Sequence, residues 1–174
     1  MLVYLIGYMG CGKSTIGPRL ARLLEYQWLD LDEAIEDKYH ISIHKIFEKY
    51  GEENFRMIEK TALEQTFSLN NTVISTGGGT PCYFDNIQIM KANGLVIYIK
   101  LSPGMLVNRL SISKKPRPIL RDLSADDLKN KITDQIIQRS EFYEKAHIII
   151  THNHATPSRM AELIHLHETG GRFI

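Results

Sequence analysis

The fold of this chain is predicted best by one segment, Gly7-Tyr8-Met9-Gly10-Cys11-Gly12-Lys13-Ser14-Thr15. It matches the pattern G-x-x-x-x-G-K-[ST], a loop whose backbone N–H groups point inward at a chain of phosphates. Lys13 supplies a positive charge for the β- and γ-phosphates, and the Ser14 hydroxyl is placed to bind Mg²⁺. The segment therefore predicts a nucleoside triphosphate site.

The residues on either side of this loop supply the context that the pattern requires. Residues 2–6 are an apolar, strand-forming run, and Ile16, Leu20, Leu23 and Leu24 recur afterwards at helical spacing. The free N–H groups and the positive end of that helix would face a bound anion. A glycine-rich turn arising by chance, which is the alternative, would not be expected to have a strand before it and a helix after it.

Strand-like and helical segments alternate along the rest of the chain, which favours an α/β fold with a parallel sheet covered on both faces. The predicted strands are residues 2–6, 27–31, 72–76, 95–100 and 147–151. The predicted helices lie near residues 13–25, 33–49, 52–67, 84–92, 103–111, 124–145 and 157–167. In such folds ligands bind beyond the carboxyl ends of the strands.

The composition is that of one soluble globular domain over residues 1–174, with 24% charged and 43% hydrophobic residues. A formal net charge of +1 gives no reason to expect nucleic acid or a membrane surface as a partner. Cys11 and Cys82 do not make a disulfide framework. We therefore expect a cytoplasmic protein, and a monomer.

One basic segment interrupts the regular alternation. Five basic residues and no acid occur from Arg109 to Arg121, and Pro116 and Pro118 break any helix there. A positive loop between two helices, at about residues 110–122, is what a lid over phosphates requires. The alternative is an ordinary solvated basic loop.

The ends of the second and third predicted strands contain polar or flexible residues where a ligand is expected. Period-two alternation would point Asp30 and Asp32 to the same side of the sheet. The third strand ends at Thr76 with no carboxylate, so Asp30 is the nearest acidic partner for a metal held by Ser14. Asp32 could accept a hydrogen bond from a substrate hydroxyl, or it could only cap the following helix. The three glycines at 77–79 would expose backbone N–H groups, or could simply form a turn.

Two arginines have positions that suggest capture of an anion. Arg139 lies on the apolar stripe of its predicted helix, three residues after Ile136, and an arginine directed inward is costly unless it meets an anion. Arg56 could be its partner, or could form an ordinary surface pair with Glu59 three residues later. Together the two arginines would suit bidentate binding of a carboxylate, which predicts a phosphotransferase for a small, anionic, hydroxylated acceptor.

Several short motifs follow one another in a recognisable order: Gly10-Cys11-Gly12-Lys13-Ser14-Thr15 with Gly17, Asp30-Leu31-Asp32, Phe55-Arg56-Met57-Ile58-Glu59, Gly77-Gly78-Gly79, Arg117-Pro118-Ile119-Leu120, and Arg139 with Tyr143. With these motifs the chain resembles the shikimate kinase family over nearly its whole length. The phosphate loop alone is shared with many unrelated proteins, whereas the other motifs in this order are much more specific.

The resemblance implies a three-layer P-loop kinase fold of the nucleoside-monophosphate-kinase type, with a five-stranded parallel sheet in the order 2-3-1-4-5. It implies transfer of phosphate from MgATP to the 3-hydroxyl of shikimate, a step towards chorismate and the aromatic amino acids. It also implies a mobile substrate-binding region at about residues 33–60.

The resemblance also assigns roles to individual residues. Arg56 and Arg139 would hold the shikimate carboxylate, and Asp32 and Gly78, with its glycine neighbours, would hold ring hydroxyls. Arg117 would move from the lid onto the phosphates.

For the adenine, the resemblance implies contacts from Arg109 and from the region around Pro157. Residues 151–157, after the last predicted strand, contain no arginine, so a stacking arginine is not assigned to this loop. His152 and His154 have the H-x-H spacing of some zinc sites but have no evident third ligand, so solvated residues are expected there.

Two other functions remain open from the sequence. A gluconate- or nucleoside-type kinase would share the phosphate loop but would not need Arg56, Arg139 and the triple glycine together. A non-catalytic nucleotide-binding module would not need the lid arginine or the aspartate for the metal.

Overall fold

A five-stranded parallel sheet forms the centre of the molecule, in a computed structural model that describes residues 1–112 and 124–170. The strands are β1 Leu2–Ile6, β2 Gln27–Asp30, β3 Thr72–Ser75, β4 Leu95–Lys100 and β5 Ile148–Thr151. Their order is β2-β3-β1-β4-β5, and all four pairings are parallel. The predicted α/β class and the strand order 2-3-1-4-5 are confirmed.

Helices cover both faces of the sheet and bury two separate apolar clusters. The helices are α1 Lys13–Leu24, α2 Leu31–Tyr39, α3 Ile43–Gln65, α4 Asn86–Asn93, α5 Pro103–Ile112, α6 Ala125–Tyr143 and α7 Pro157–Glu168. Alternate residues of β1 point to opposite faces, so that Val3 and Leu5 belong to one cluster and Tyr4 and Ile6 to the other. The result is the expected three-layer architecture.

The chain between β2 and β3 differs from the prediction. A single helix at 33–49 was wrong, because the backbone at His40 adopts a left-handed conformation that ends α2, and the Ser42 side chain caps the start of α3. The predicted break between residues 49 and 52 is present within α3, because Gly51 has non-helical backbone angles (φ 77°, ψ 171°) that separate two helical segments. The predicted strands 27–31, 72–76 and 147–151 were each one residue too long.

The register of the sheet brings the carboxyl ends of β1, β2 and β3 to the same edge of the sheet. Asp30 pairs with Ser75 across β2 and β3, and Leu5 pairs with Ser75 across β1 and β3. The phosphate loop, the start of α2 and the triple glycine therefore begin side by side. In the described ranges, none of the helices has the length and hydropathy needed to cross a bilayer.

Candidate active site

A cavity of about 450 Å³ opens at this edge of the sheet. Most of the predicted site residues contribute to its wall, which is formed by Met9, Gly10, Gly12, Lys13, Ser14, Thr15, Asp30, Asp32, Thr76, Gly78, Arg109, Leu110 and Ile112. The sequence-based expectation that the phosphate loop and the two aspartates meet in one cleft is correct.

The phosphate loop has the backbone conformation that its glycines were expected to allow. Gly7 and Gly12 have φ values of 137° and 112°, which side-chain-bearing residues rarely adopt. A Cβ atom at Gly7 would lie only 2.8 Å from the carbonyl oxygen of Ile99. Gly12 is the N-cap of α1 and no side chain caps the helix there, so the helix N-terminus faces the cavity as an anion site requires.

The Lys13 side chain folds back onto the phosphate loop and is hydrogen-bonded to its backbone. Its Nζ donates to the carbonyl oxygens of Gly7 at 2.7 Å and Tyr8 at 3.3 Å, and the residue is 8% exposed. Cys11, in contrast, is 1% exposed and its side chain does not reach the cavity. Its sulfur instead lies inside the loop, 3.7 Å from Nζ of Lys13.

Ser14 and Asp30 form the part of the cleft that suits Mg²⁺. The Ser14 hydroxyl donates to Oδ2 of Asp30 at 2.7 Å, which puts two oxygen ligands side by side at the cavity wall. Mg²⁺ prefers oxygen ligands and is usually held by few protein groups together with phosphates and water. The donor set therefore fits the metal that the sequence predicted.

Asp30 and Asp32 both reach the cleft, but the secondary structure that places them there differs from the prediction. Strand β2 ends at Asp30, whose Oδ1 accepts from the backbone N–H groups of Asp32 at 3.1 Å and Glu33 at 3.4 Å. Asp30, rather than Asp32, is therefore the cap of α2. Asp32 lies in the first turn of this helix, so the alternation argument for its direction was wrong although its position in the cleft was right.

Asp32 has an altered acidity. Burial is the largest cause, and together with the nearby carboxylates of Asp30 and Glu59 it raises the pKa of Asp32 to about 7, while the Lys13 ammonium opposes the change. A carboxyl group of this kind can exchange a proton near neutral pH.

Arg56 is buried, so it is not the ordinary surface residue that was the alternative. It is 8% exposed, and its Nη1 donates to Glu59 at 2.9 Å while its Nη2 donates to Glu52 at 3.0 Å. The guanidinium also lies over the ring of Tyr83, with its central carbon 4.0 Å from the ring centroid. The spacing of Arg56 and Glu59 indicated their pairing, and the four-residue spacing of Glu52 and Arg56 is also that of a helical ion pair, although it was not predicted. Nothing in the sequence indicated the contact from Tyr83.

Each residue of the triple glycine lies against a different one of the predicted acceptor-binding side chains. A Cβ at Gly77 would be 2.9 Å from Oδ1 of Asp32, and one at Gly79 would be 2.7 Å from Nη1 of Arg56. A Cβ at Gly78 would be 3.7 Å from Nη1 of Arg139. The three side chains that the sequence analysis grouped together do converge on this one loop.

The predicted adenine contacts are only partly brought together. Arg109 lines the cavity and its Nη1 donates to the carbonyl oxygen of Cys11 at 2.9 Å. Pro157 begins α7 and is not part of the described cavity wall. Arg117 and most of the predicted lid at 110–122 lie outside the described residues.

Comparison with known proteins gives one consistent result. The family model for shikimate kinase matches residues 9–167. A shikimate kinase of Parabacteroides distasonis is 43% identical over 146 residues, which are 84% of each chain. The crystal structure of shikimate kinase from Bacteroides thetaiotaomicron is 35% identical and aligns with a TM-score of 0.91 over 97% of this chain and 98% of that one. An Acinetobacter baumannii shikimate kinase in complex with shikimate is 34% identical, with a TM-score of 0.83 over 97% and 93% of the two chains.

Proposed function

This chain belongs to the shikimate kinase family, and we propose that its cleft transfers the γ-phosphoryl group of ATP to the 3-hydroxyl of shikimate. The enzyme is an ATP-dependent phosphotransferase that works with Mg²⁺, and its products are shikimate 3-phosphate and ADP. The reaction belongs to the synthesis of chorismate and the aromatic amino acids.

The observation on which this proposal depends is the arrangement around the triple glycine. Arg56 and Arg139 flank the loop at Gly79 and Gly78 and supply two cationic groups for one carboxylate. Asp32 flanks it at Gly77 and supplies an acceptor for a hydroxyl. An acceptor that has both a carboxylate and hydroxyl groups matches this set of side chains better than a nucleoside, which has no carboxylate. Shikimate and gluconate both meet this requirement, and the family of the chain favours shikimate.

On the donor side, the phosphate loop and Lys13 bind the triphosphate. Lys13 exchanges its present carbonyl partners for phosphate oxygens, because an ammonium gains more from an anion than from a neutral acceptor. Ser14 and Asp30 hold Mg²⁺, which supplies charge neutralisation on the transferring phosphoryl group when it is bound. We assign to Arg117 the same task from the lid at 110–122.

Asp32 orients the 3-hydroxyl and accepts its proton as the new P–O bond forms. A pKa of about 7 is suited to this exchange near neutral pH. The loose transition state of phosphoryl transfer does not require a stronger base. Closure of the lid and of the region at about residues 33–60 excludes water and thereby limits hydrolysis of ATP.

The adenine is held between Arg109 and the segment around Pro157, where α7 begins. The enzyme acts as a monomer in the cytoplasm. Dependence on ATP supports the cytoplasmic location.

The test is release of ADP in the presence of MgATP and a panel of acceptors that contains shikimate, gluconate and nucleosides. We expect release that depends on shikimate and saturates with it. Faster release with gluconate or a nucleoside would refute the acceptor assignment. Saturable nucleotide binding without acceptor-dependent ADP release would instead favour a non-catalytic module.

A variant separates acceptor binding from chemistry. Arg139→Ala removes one cationic group for the carboxylate, so the KM for shikimate should rise at least about tenfold while the KM for ATP is unchanged. The matched control is Arg22→Ala, since Arg22 is exposed in the last turn of α1 and is not part of the cavity wall. An unchanged shikimate KM in Arg139→Ala would contradict the carboxylate assignment.

A further inference from the structure

We propose that Tyr143 is a positioning residue for acceptor binding: its hydroxyl ties the guanidinium of Arg139 to the backbone of Gly78. This inference rests on the proposed function, because it assigns Arg139 and Gly78 to the acceptor site. Tyr143 is the last residue of α6, four positions after Arg139, and does not line the cavity itself.

The hydrogen bonds of the Tyr143 hydroxyl define this link. Its Oη donates to the carbonyl oxygen of Gly78 at 2.6 Å. The guanidinium of Arg139 lies beside the same groups: its Nη1 would be 3.7 Å from a Cβ at Gly78, and its charge acts on the Tyr143 hydroxyl. A phenol has one donor and two acceptor lone pairs, so the donor serves Gly78 and the oxygen presents its lone pairs to the guanidinium. The Tyr143 hydroxyl therefore connects α6, which also contains Arg139, to the glycine loop at Gly78.

The Tyr143 ring is held in one place by its packing, so its hydroxyl has a fixed position. Tyr143 is fully buried, and its ring stacks on Tyr98 of β4 with centroids 4.9 Å apart. Burial raises the pKa of Tyr143, so the hydroxyl keeps the proton that it donates to Gly78. The position of the Tyr143 hydroxyl is thus fixed by the contact of its ring with β4 of the central sheet.

Without the hydroxyl, Arg139 and Gly78 would each lose a partner. The Arg139 side chain would still lie over the Tyr8 ring, with its central carbon 5.5 Å from the centroid, but this contact does not fix the direction of its N–H groups. The loss should affect binding of the acceptor, because Tyr143 makes no contact with Lys13 or Ser14.

The experiment is Tyr143→Phe, which keeps the ring and its stacking on Tyr98. We expect the KM for shikimate to rise about 5- to 20-fold, while kcat stays within about threefold and the KM for ATP is unchanged. Tyr4→Phe is the matched control, because Tyr4 is also fully buried and its hydroxyl is bonded to Thr66 outside the cleft. The control should lose stability without any change in the KM for shikimate.

A double variant tests whether Tyr143 acts through Arg139. If it does, Tyr143→Phe should raise the KM for shikimate by a smaller factor when it is added to Arg139→Ala than when it is made in the native chain. Additive effects, or a single variant with an unchanged shikimate KM, would overturn the proposal. A native chain without shikimate-dependent ADP release would refute the proposed function itself, which is a distinguishable result.

Discussion

Asp32 offers a test in which stability and activity should change in opposite directions. Replacing it by asparagine removes a carboxylate that the fold holds in an unfavourable place, beside Asp30 and Glu59 and shielded from water. Asparagine has almost the same shape and is neutral at every pH. We therefore expect Asp32→Asn to be more stable than the native chain above neutral pH, and much less active.

The magnitude follows from the pKa. Raising it from the ordinary value of 3.8 to about 7 corresponds to roughly 4 kcal/mol at 1.36 kcal/mol per unit. In the unfolded chain Asp32 ionises near 3.8, whereas in the folded chain it keeps its proton up to about pH 7. Its protonated form thus contributes stability below pH 3.8 that is lost as the pH rises to about 7. A negative charge in the first turn of α2 is itself favourable by about 0.3–1 kcal/mol, which leaves a net gain of about 3–4 kcal/mol for asparagine above pH 7.

The assay is urea unfolding of both proteins, without nucleotide, at pH 5 and pH 8. The difference in free energy of unfolding should increase by about 1–3 kcal/mol in favour of Asp32→Asn between these two conditions. Asp37→Asn is the matched control, because it removes an exposed carboxylate from the same helix and should change stability by less than about 0.5 kcal/mol.

Activity provides the second measurement. The kcat/KM of the native enzyme for shikimate should rise with pH and level off above about 7, as the Asp32 carboxylate forms. Asp32→Asn should lose this dependence along with most of its turnover. If Asp32→Asn is less stable than the native chain at pH 8, or if their stability difference is the same at both pH values, the assigned acidity is wrong.

Three further substitutions test the cation of the phosphate loop and the close packing around two glycines. Lys13→Ala should lower kcat at least about 100-fold in the ADP-release assay, since it removes a cation from the phosphoryl group. Gly79→Ala should raise the KM for shikimate several-fold, because its Cβ would lie 2.7 Å from a terminal nitrogen of Arg56. Gly17→Ala should reduce the free energy of unfolding by about 1–3 kcal/mol in urea despite better helix propensity, because its Cβ would lie 2.5 Å from Nε1 of Trp28.

Gly104→Ala is the control for both glycine variants, since a Cβ there would meet nothing within 4 Å. It should leave stability and KM nearly unchanged. A Gly17→Ala protein as stable as the native chain would mean that the indole moves aside cheaply, and an unaffected shikimate KM in Gly79→Ala would mean the same for Arg56. Full turnover in Lys13→Ala would remove the phosphate loop from the mechanism.

Local patterns were sufficient to predict the sheet, because its inner strands are buried on both faces and appear as short apolar runs between turn signals. The division between α2 and α3 was missed for a different reason. His40 has a φ of 58°, a conformation that is uncommon for residues other than glycine. Because the residue here is not a glycine, nothing in the sequence signals that the helix ends. Gly51 was a visible signal, and its non-helical backbone interrupts α3 at the predicted break.

The candidate site was predicted where function depends on residues in fixed local motifs. Lys13 and Ser14 follow from the loop pattern, and Asp30 and Asp32 follow from the end of a strand. The contacts of Tyr83 with Glu52 and of Tyr143 with Gly78 join distant segments, across 31 and 65 positions. Such contacts depend on tertiary packing, which a single sequence does not display.

The two arginines of the acceptor site differ in a way that their sequence positions did not suggest. Arg56 already forms ion pairs with Glu52 and Glu59, so its positive charge is more than balanced before any acceptor binds. Among the ion pairs of residues 1–112 and 124–170 none includes Arg139, whose guanidinium meets a phenol oxygen and an aromatic ring. In the proposed complex the charge of the shikimate carboxylate is therefore balanced mainly by Arg139. Arg56, whose guanidinium is held rigidly by two carboxylates and the Tyr83 ring, contributes mainly to the orientation of the acceptor.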